Sequence, residues 1–163
     1  MKHEKMTHRK LVELLINFRS NERKVKVLQF ELANRPQLSG TELIEAMSLS
    51  VPEGLGGLTG HISDKTMRIA LQYDDRAHDM NIEAKEAILQ ELVPLQAQQN
   101  KLKYYISLLG HDGSVLVGYY LEGKSWNQME QETEVTVRTL HRWKNEQIQK
   151  LLDMYLFSKQ YNG

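Results

Sequence analysis

The chain has no cysteine in its 163 residues, so disulfide staples and thiolate metal sites are excluded. It also lacks any long apolar run. Stretches such as Leu14-Leu15-Ile16 fall far short of the about 20 residues that span a bilayer. The start, Met1-Lys2-His3-Glu4-Lys5, carries no apolar signal core. No membrane association and a cytoplasmic location are the expectation. Aromatics are scarce and helix formers abundant, and no stretch alternates apolar and polar residues as a half-buried strand does. The fold class read from this pattern is all-α.

Excess charge of one sign is missing too: 21 basic side chains balance 21 acidic ones. Nucleic-acid binders usually carry surplus Lys and Arg, because phosphate contact with counterion release supplies much of their affinity. A neutral average can still hide a basic face. Residues 1–35 hold nine basic and four acidic side chains, residues 36–110 six and ten, and residues 111–163 six and seven. Within the last part, Arg138, Arg142, Lys144 and Lys150 gather against Glu146.

Catalytic and metal-binding patterns are weak. Glycines crowd residues 54–60, but a phosphate-cradling loop would need a preceding strand and a Gly-Lys-Ser/Thr ending, and neither is present. A loop is the reading there. Asp74, Asp75, His78 and Asp79 fall within about a turn and a half of helix, with no second ligand set nearby, so a solvated acidic face is expected. His3 and His8 are poorly spaced to act together, and His61 stands alone beside the loop. No serine sits in a nucleophile elbow. The chain is expected not to be an enzyme and to need no metal or cofactor.

Along the chain, Met6, Leu11, Leu14, Leu15 and Phe18 recur at threes and fours, a helical stripe. A second run, Val25, Leu28 and Leu32, ends near Asn34, where Arg35-Pro36 stops it. The two runs make one bent helix or a short pair. Ser39-Gly40-Thr41-Glu42 reads as a capping box opening a helix through Leu49. Ser63 should cap a helix through His78 or Asp79, with Met67, Ala70, Leu71 and Ile69 facing inward. A further helix should start near Asn81 and carry Ile82, Ala84, Ile88, Leu89, Leu92, Leu95, Leu102, Tyr105, Ile106 and Leu109. Pro94 predicts either a kink in it or two helices meeting near Val93. The expected division is 1–61 (N-terminal helices and loop, for oligomerisation or partner binding), 62–109 (central helices) and 110–163.

The last segment carries the functional signal. Val115, Leu116, Tyr119, Tyr120 and Leu121 mark a helix that stops at Glu122-Gly123-Lys124, with Gly123 suited to the left-handed position. Ser125 should cap a second helix, Trp126 to Glu132. A turn at Thr133-Glu134-Val135 follows, and Thr136 should cap a third helix. Its inner side would carry Leu140, Trp143, Ile148 (or Gln147), Leu151 and Leu152. The spacing predicts a tri-helical helix-turn-helix whose last helix fits the major groove of duplex DNA. With Leu140 and Trp143 inside, Val137, Arg138, His141, Arg142 and Asn145 face outward. Arg pairs bidentately with guanine and Asn with adenine, while Lys144 and Lys150 are placed for phosphate.

The run Gly118-Tyr119-Tyr120-Leu121-Glu122-Gly123-Lys124-Ser125-Trp126-Asn127-Gln128-Met129, continued by Val135-Thr136-Val137-Arg138-Thr139-Leu140-His141-Arg142, resembles region 4 of sigma-70-type factors. It is most similar to the ArpU/RinA-like transcription regulators of phages and prophages, which activate late genes. Ile62 to Leu71 also resembles that family's middle segment, so the resemblance covers roughly residues 62–157. It implies a DNA-binding transcription regulator with contact residues at Val137, Arg138, Thr139, His141, Arg142 and Asn145, and Thr136 at the helix start. Two positions depart from the pattern. Glu130 replaces a small residue and Glu134 replaces the turn glycine, where small residues allow close helix approach and a left-handed turn. Glu130 would imply looser packing or a partner for an arginine. With Glu132, these two either form a solvated acidic face or meet a basic partner.

The expected partners are double-stranded DNA, RNA polymerase, and a second copy in a homo-oligomer such as a dimer. Two other classes compete. One is a small terminase-like packaging adaptor, disfavoured because those proteins place the DNA reader at the N-terminus. The other is a polymerase-binding protein that does not hold DNA.

Overall fold

The structure, a computed structural model, describes residues 6–43 and 64–159, with only the backbone at 64–67, 69, 70 and 159. The described residues are helical and contain no strand. The protein is all-α. The elements are α1 (His8–Ile16), α2 (Phe18–Asn34), α3 (Asp64–Leu108), a 3-10 turn (Gly110–Gly113), α4 (Ser114–Leu116) running into a π turn (Val117–Leu121), α5 (Trp126–Thr133) and α6 (Val137–Lys159). No helix among the described residues is long and apolar enough to cross a membrane.

The N-terminal stripe resolves into a helical pair. Thr7 caps α1 by accepting from Lys10 N–H, and the chain leaves the helix at Asn17 before Phe18 opens α2. α2 ends at Asn34, as Arg35-Pro36 predicts. The Ser39/Glu42 capping box is present. Glu42 N–H donates to Ser39 Oγ at 3.2 Å, and Ser39 N–H donates to the Glu42 carboxylate at 2.9 Å. The rest of that helix, Ser63 and the glycine-rich loop lie outside the described residues.

Contacts divide the chain differently from the expected 1–61, 62–109 and 110–163. One compact unit comprises residues 1–27 and 93–163, the other residues 28–92. This division by contacts follows from the apolar stripe of α1, which is buried against the C-terminal helices. In the first unit, Leu11, Leu15 and Phe18 pack with Leu102, Ile106, Leu116, Tyr120, Ile148, Leu151, Leu152 and Tyr155. Each fully buried Leu, Ile or Phe contributes about 1.5–3 kcal/mol. Buried polar groups are met in kind: Gln99 Nε2 donates to Phe18 O at 2.8 Å, and Gln147 Oε1 accepts Leu116 N–H at 3.2 Å. Gln147 and Ile148 are thus both inside.

In the second unit, the expected boundary between helices at 79–81 is absent, and α3 runs on through both Asn81 and Pro94. Asn81 has another task. Its amide accepts Leu38 N–H at 3.0 Å and donates to Leu38 O at 2.9 Å, holding the non-helical segment after Pro36. Arg35 donates to Ala84 O at 3.1 Å, and Gly40 lies buried against Asp74. Leu71, Ile82 and Leu89, expected inward, are exposed, because the buried side of this part of α3 is set by Ala77 and Leu92.

Candidate nucleic-acid interface

The site is built on α5 and α6 and the turn between them. Gly123, at φ 74°, takes the left-handed position that ends the π turn, and Lys124 N–H bonds back to Gly118 O at 2.9 Å. This closure spans seven residues, one more than the usual six-residue closure at the end of an α-helix, because it follows a π turn. Lys124 then bridges Glu122 at 2.9 Å and Glu132 at 2.7 Å. The Glu132 and Glu122 hydrogen bonds hold its ammonium above the ordinary lysine value. Ser125 opens α5 through a full capping box with Gln128, at 3.2 and 2.8 Å. Gly118 is buried under Met129, whose methyl would lie 3.1 Å from an added Cβ. A small residue here lets α5 close on the preceding turn.

The turn is Glu134–Thr136, one residue later than the sequence pattern suggests, since α5 includes Thr133. Glu134 itself adopts φ 56°, ψ 22°. The left-handed turn is therefore made by a glutamate where glycine is the cheap choice.

Two expectations for this turn are corrected. Thr136 does not cap α6 with its hydroxyl, which meets Thr139 Oγ1 at 3.1 Å instead. The acceptor for Val137 N–H is Glu130 Oε1, at 3.1 Å, reaching over from α5. Glu130 is accordingly neither a sign of loose packing nor an arginine partner. It is half-buried, and it places a carboxylate at the positive end of a helix with no acidic residue in its own first turn.

α6 presents a clear exposed side. Arg138, Arg142, Asn145 and Gln149 are all exposed. They stand at i, i+4, i+7 and i+11, the spacing that shares one helix face. Arg142 makes only a long contact to Glu146, 3.8 Å, with both side chains well exposed. Such a pair contributes little and leaves the guanidinium available. Leu140 is fully buried with Val115 and Met129. Trp143, expected in the core, is half-buried and packs on the edge of that cluster. The α4–α5 side is already filled by the smaller Val115 and Met129.

The remaining expected contact residues fall off this stripe. His141 is exposed but lies 4.1 Å, ring to ring, from Trp126, which stacks on Tyr119 at 4.2 Å. Lys144 is half-buried, its ammonium 5.8 Å from the Trp126 ring, a cation–π distance. Lys150 pairs with Asp112 at 2.6 Å, and that hydrogen bond holds the Asp112 carboxyl below its ordinary value. Val137 and Thr139 are half-buried and Thr136 is exposed at the helix start. Of the expected set, the fold brings Arg138, Arg142 and Asn145 together and turns Lys150 toward the 3-10 turn.

No family model matches the chain, and neither a curated protein nor a solved structure matches it. Sequence reasoning missed Gln149, which extends the stripe by a turn, and the roles of Glu130 and Trp126. Gln149 was recoverable from the i+4 and i+7 spacing. Glu130 and Trp126 act across the turn, and no helical period within one element signals such a contact.

Proposed function

We propose that this protein is a sequence-specific DNA-binding regulator of transcription that lays α6 in the major groove. The observation that carries this reading is the exposed stripe of Arg138, Arg142, Asn145 and Gln149 on a helix fixed by a three-residue turn to a capped neighbour. Arg and Asn or Gln are the side chains that pair bidentately with guanine and adenine edges, and a groove about 12 Å wide admits a helix. The ion pairs of Lys124 also bear on the objection from charge, since Glu122 and Glu132 are both engaged by it. The resemblance to phage regulators points the same way and suggests late-gene activation, with RNA polymerase as the protein partner.

A protein that meets polymerase without holding DNA is the second reading, favoured by the neutral net charge. Pairing of protomers through the apolar stripe of α1 is not part of either reading, because that stripe lies in the core of its own chain. A monomer or dimer in solution suits the regulator, whereas a ring of eight or more would favour a packaging adaptor.

The test is binding of the purified protein to duplex fragments from its genomic neighbourhood, titrated with salt and random competitor. A specific complex that weakens steeply with salt is expected. Arg138→Ala and Arg142→Ala should each cost about 1–3 kcal/mol of the specific affinity. No specific complex, or full affinity in both variants, would remove α6 as a DNA-reading helix.

A further inference from the structure

The carboxylate of Glu130 occupies the place where a phosphate would gain most from α6. The N-terminus of a helix offers free N–H groups and the positive end of the macrodipole, which together attract anions. Here the first such N–H, that of Val137, is already bonded to Glu130 Oε1. The side chain comes from α5, one turn before Glu134, so it joins the two helices as well as occupying the position. It is half-buried and held in place rather than swinging in solvent. Arg138, the first residue of the exposed stripe, directly follows Val137.

We infer that Glu130 is a positioning residue that also sets DNA selectivity. It fixes the start of α6 on α5, and its charge keeps the sugar–phosphate backbone away from the α6 N-terminus, so that binding depends on the base-facing stripe. This inference rests on the DNA-binding reading above. A phosphate contact at the helix end would add affinity for every sequence equally. Excluding it lowers the affinity for random duplex and raises the ratio of specific to random binding.

Two substitutions separate the two roles. Glu130→Gln keeps an oxygen that accepts the Val137 N–H and removes the charge. Glu130→Ala removes both. Glu91→Gln, an exposed site on α3, makes the same change in net charge away from α6. The probe is a random-sequence duplex, followed by fluorescence anisotropy over a salt series alongside thermal melting. Glu130→Gln should melt close to the parent and bind random duplex about two- to fivefold more tightly than Glu91→Gln, the fold-change expected for one charge at a helix end. If one further phosphate is engaged, the salt slope should steepen by about 0.9. Glu130→Ala should melt lower, and the Gln variant should restore the melting temperature.

Glu130→Gln binding no better than Glu91→Gln, while the parent protein does bind DNA, would overturn the selectivity role and leave the DNA-binding reading standing. Equal melting of the Ala and parent proteins would overturn the positioning role. Absence of any salt-dependent DNA binding by the parent protein would overturn the DNA-binding reading, and this inference with it.

Discussion

Glu134→Gly should make the protein more stable. Glu134 holds φ 56° and ψ 22°, a conformation that costs an ordinary L-residue roughly 1–2 kcal/mol because Cβ crowds the following carbonyl. Glycine removes that cost but gives the unfolded chain more freedom, which takes back about 0.4–1 kcal/mol. The net gain is about 0.5–1 kcal/mol, or roughly 1–4 °C in melting temperature for a chain of this size. Nothing else about the side chain offsets the gain. Glu134 is exposed, and none of the hydrogen bonds or ion pairs of the described residues involves it. Unfolding followed by far-ultraviolet circular dichroism, in heat and in urea, measures the change. Glu134→Ala is the control, since it discards the carboxylate and keeps the Cβ, and it should melt with the parent protein. A glycine variant less stable than the parent would refute the left-handed turn at 134. An alanine variant as stabilised as the glycine one would assign the gain to lost charge rather than relieved backbone.

Other outcomes follow from burial and from titration. Leu140→Ala, at a fully buried position, should cost about 2–5 kcal/mol, and Trp143→Ala only about 2 kcal/mol, because that ring is partly exposed at the edge of its cluster. The reverse order in a denaturant titration would put Trp143 in the core. In the folded protein the hydrogen bond from Lys103 holds the Glu22 carboxyl below its ordinary value, as that from Lys150 does for Asp112. Each pair therefore contributes stability that is present above the unfolded carboxyl value, about 4.5 for Glu22 and 3.8 for Asp112, and lost as pH falls through the lower folded value. Lys103→Met and Lys150→Met should each flatten the fall in melting temperature between about pH 6 and about pH 3. Unchanged acid sensitivity in both variants would show that these pairs do not persist in solution.

What the sequence made legible was chiefly local. The stop at Arg35-Pro36, the capping box at Ser39 and Glu42, the cap at Ser125 and the left-handed Gly123 each depend on residues within one turn of one another. The misread places depend on partners far along the chain. Asn81 looks like a helix start because asparagine is a good cap, yet its amide is used by Leu38. At Pro94, which removes a hydrogen bond at roughly 3 kcal/mol, the local pattern leaves one kinked helix and two separate helices both open. Burial of Leu92, Leu102 and Ile106 on either side keeps α3 continuous. The same holds at the site. Arg138, Arg142 and Asn145 were readable from helical spacing, but the fate of Thr136, His141, Lys144 and Lys150 was decided by Glu130, Trp126 and Asp112, which lie on other elements.

The stack of Tyr119, Trp126 and His141 takes one ring from each of the three helical segments that end the chain. Changes at Trp126 and at either of the other two positions will therefore fail to add, since Trp126 touches both Tyr119 and His141. Under the proposed DNA-binding reading, an alanine at His141 will weaken that binding through the seating of α6 even if the imidazole never meets a base. A double-mutant cycle of His141→Ala with Trp126→Ala, the ring His141 packs on, separates the two effects: the share of the loss that vanishes in the Trp126→Ala background belongs to the stack. Among the outward residues of α6, His141 is the position where an alanine scan would report on architecture together with the proposed recognition, while Arg138 and Asn145, which lie off the stack, would report on the proposed recognition alone.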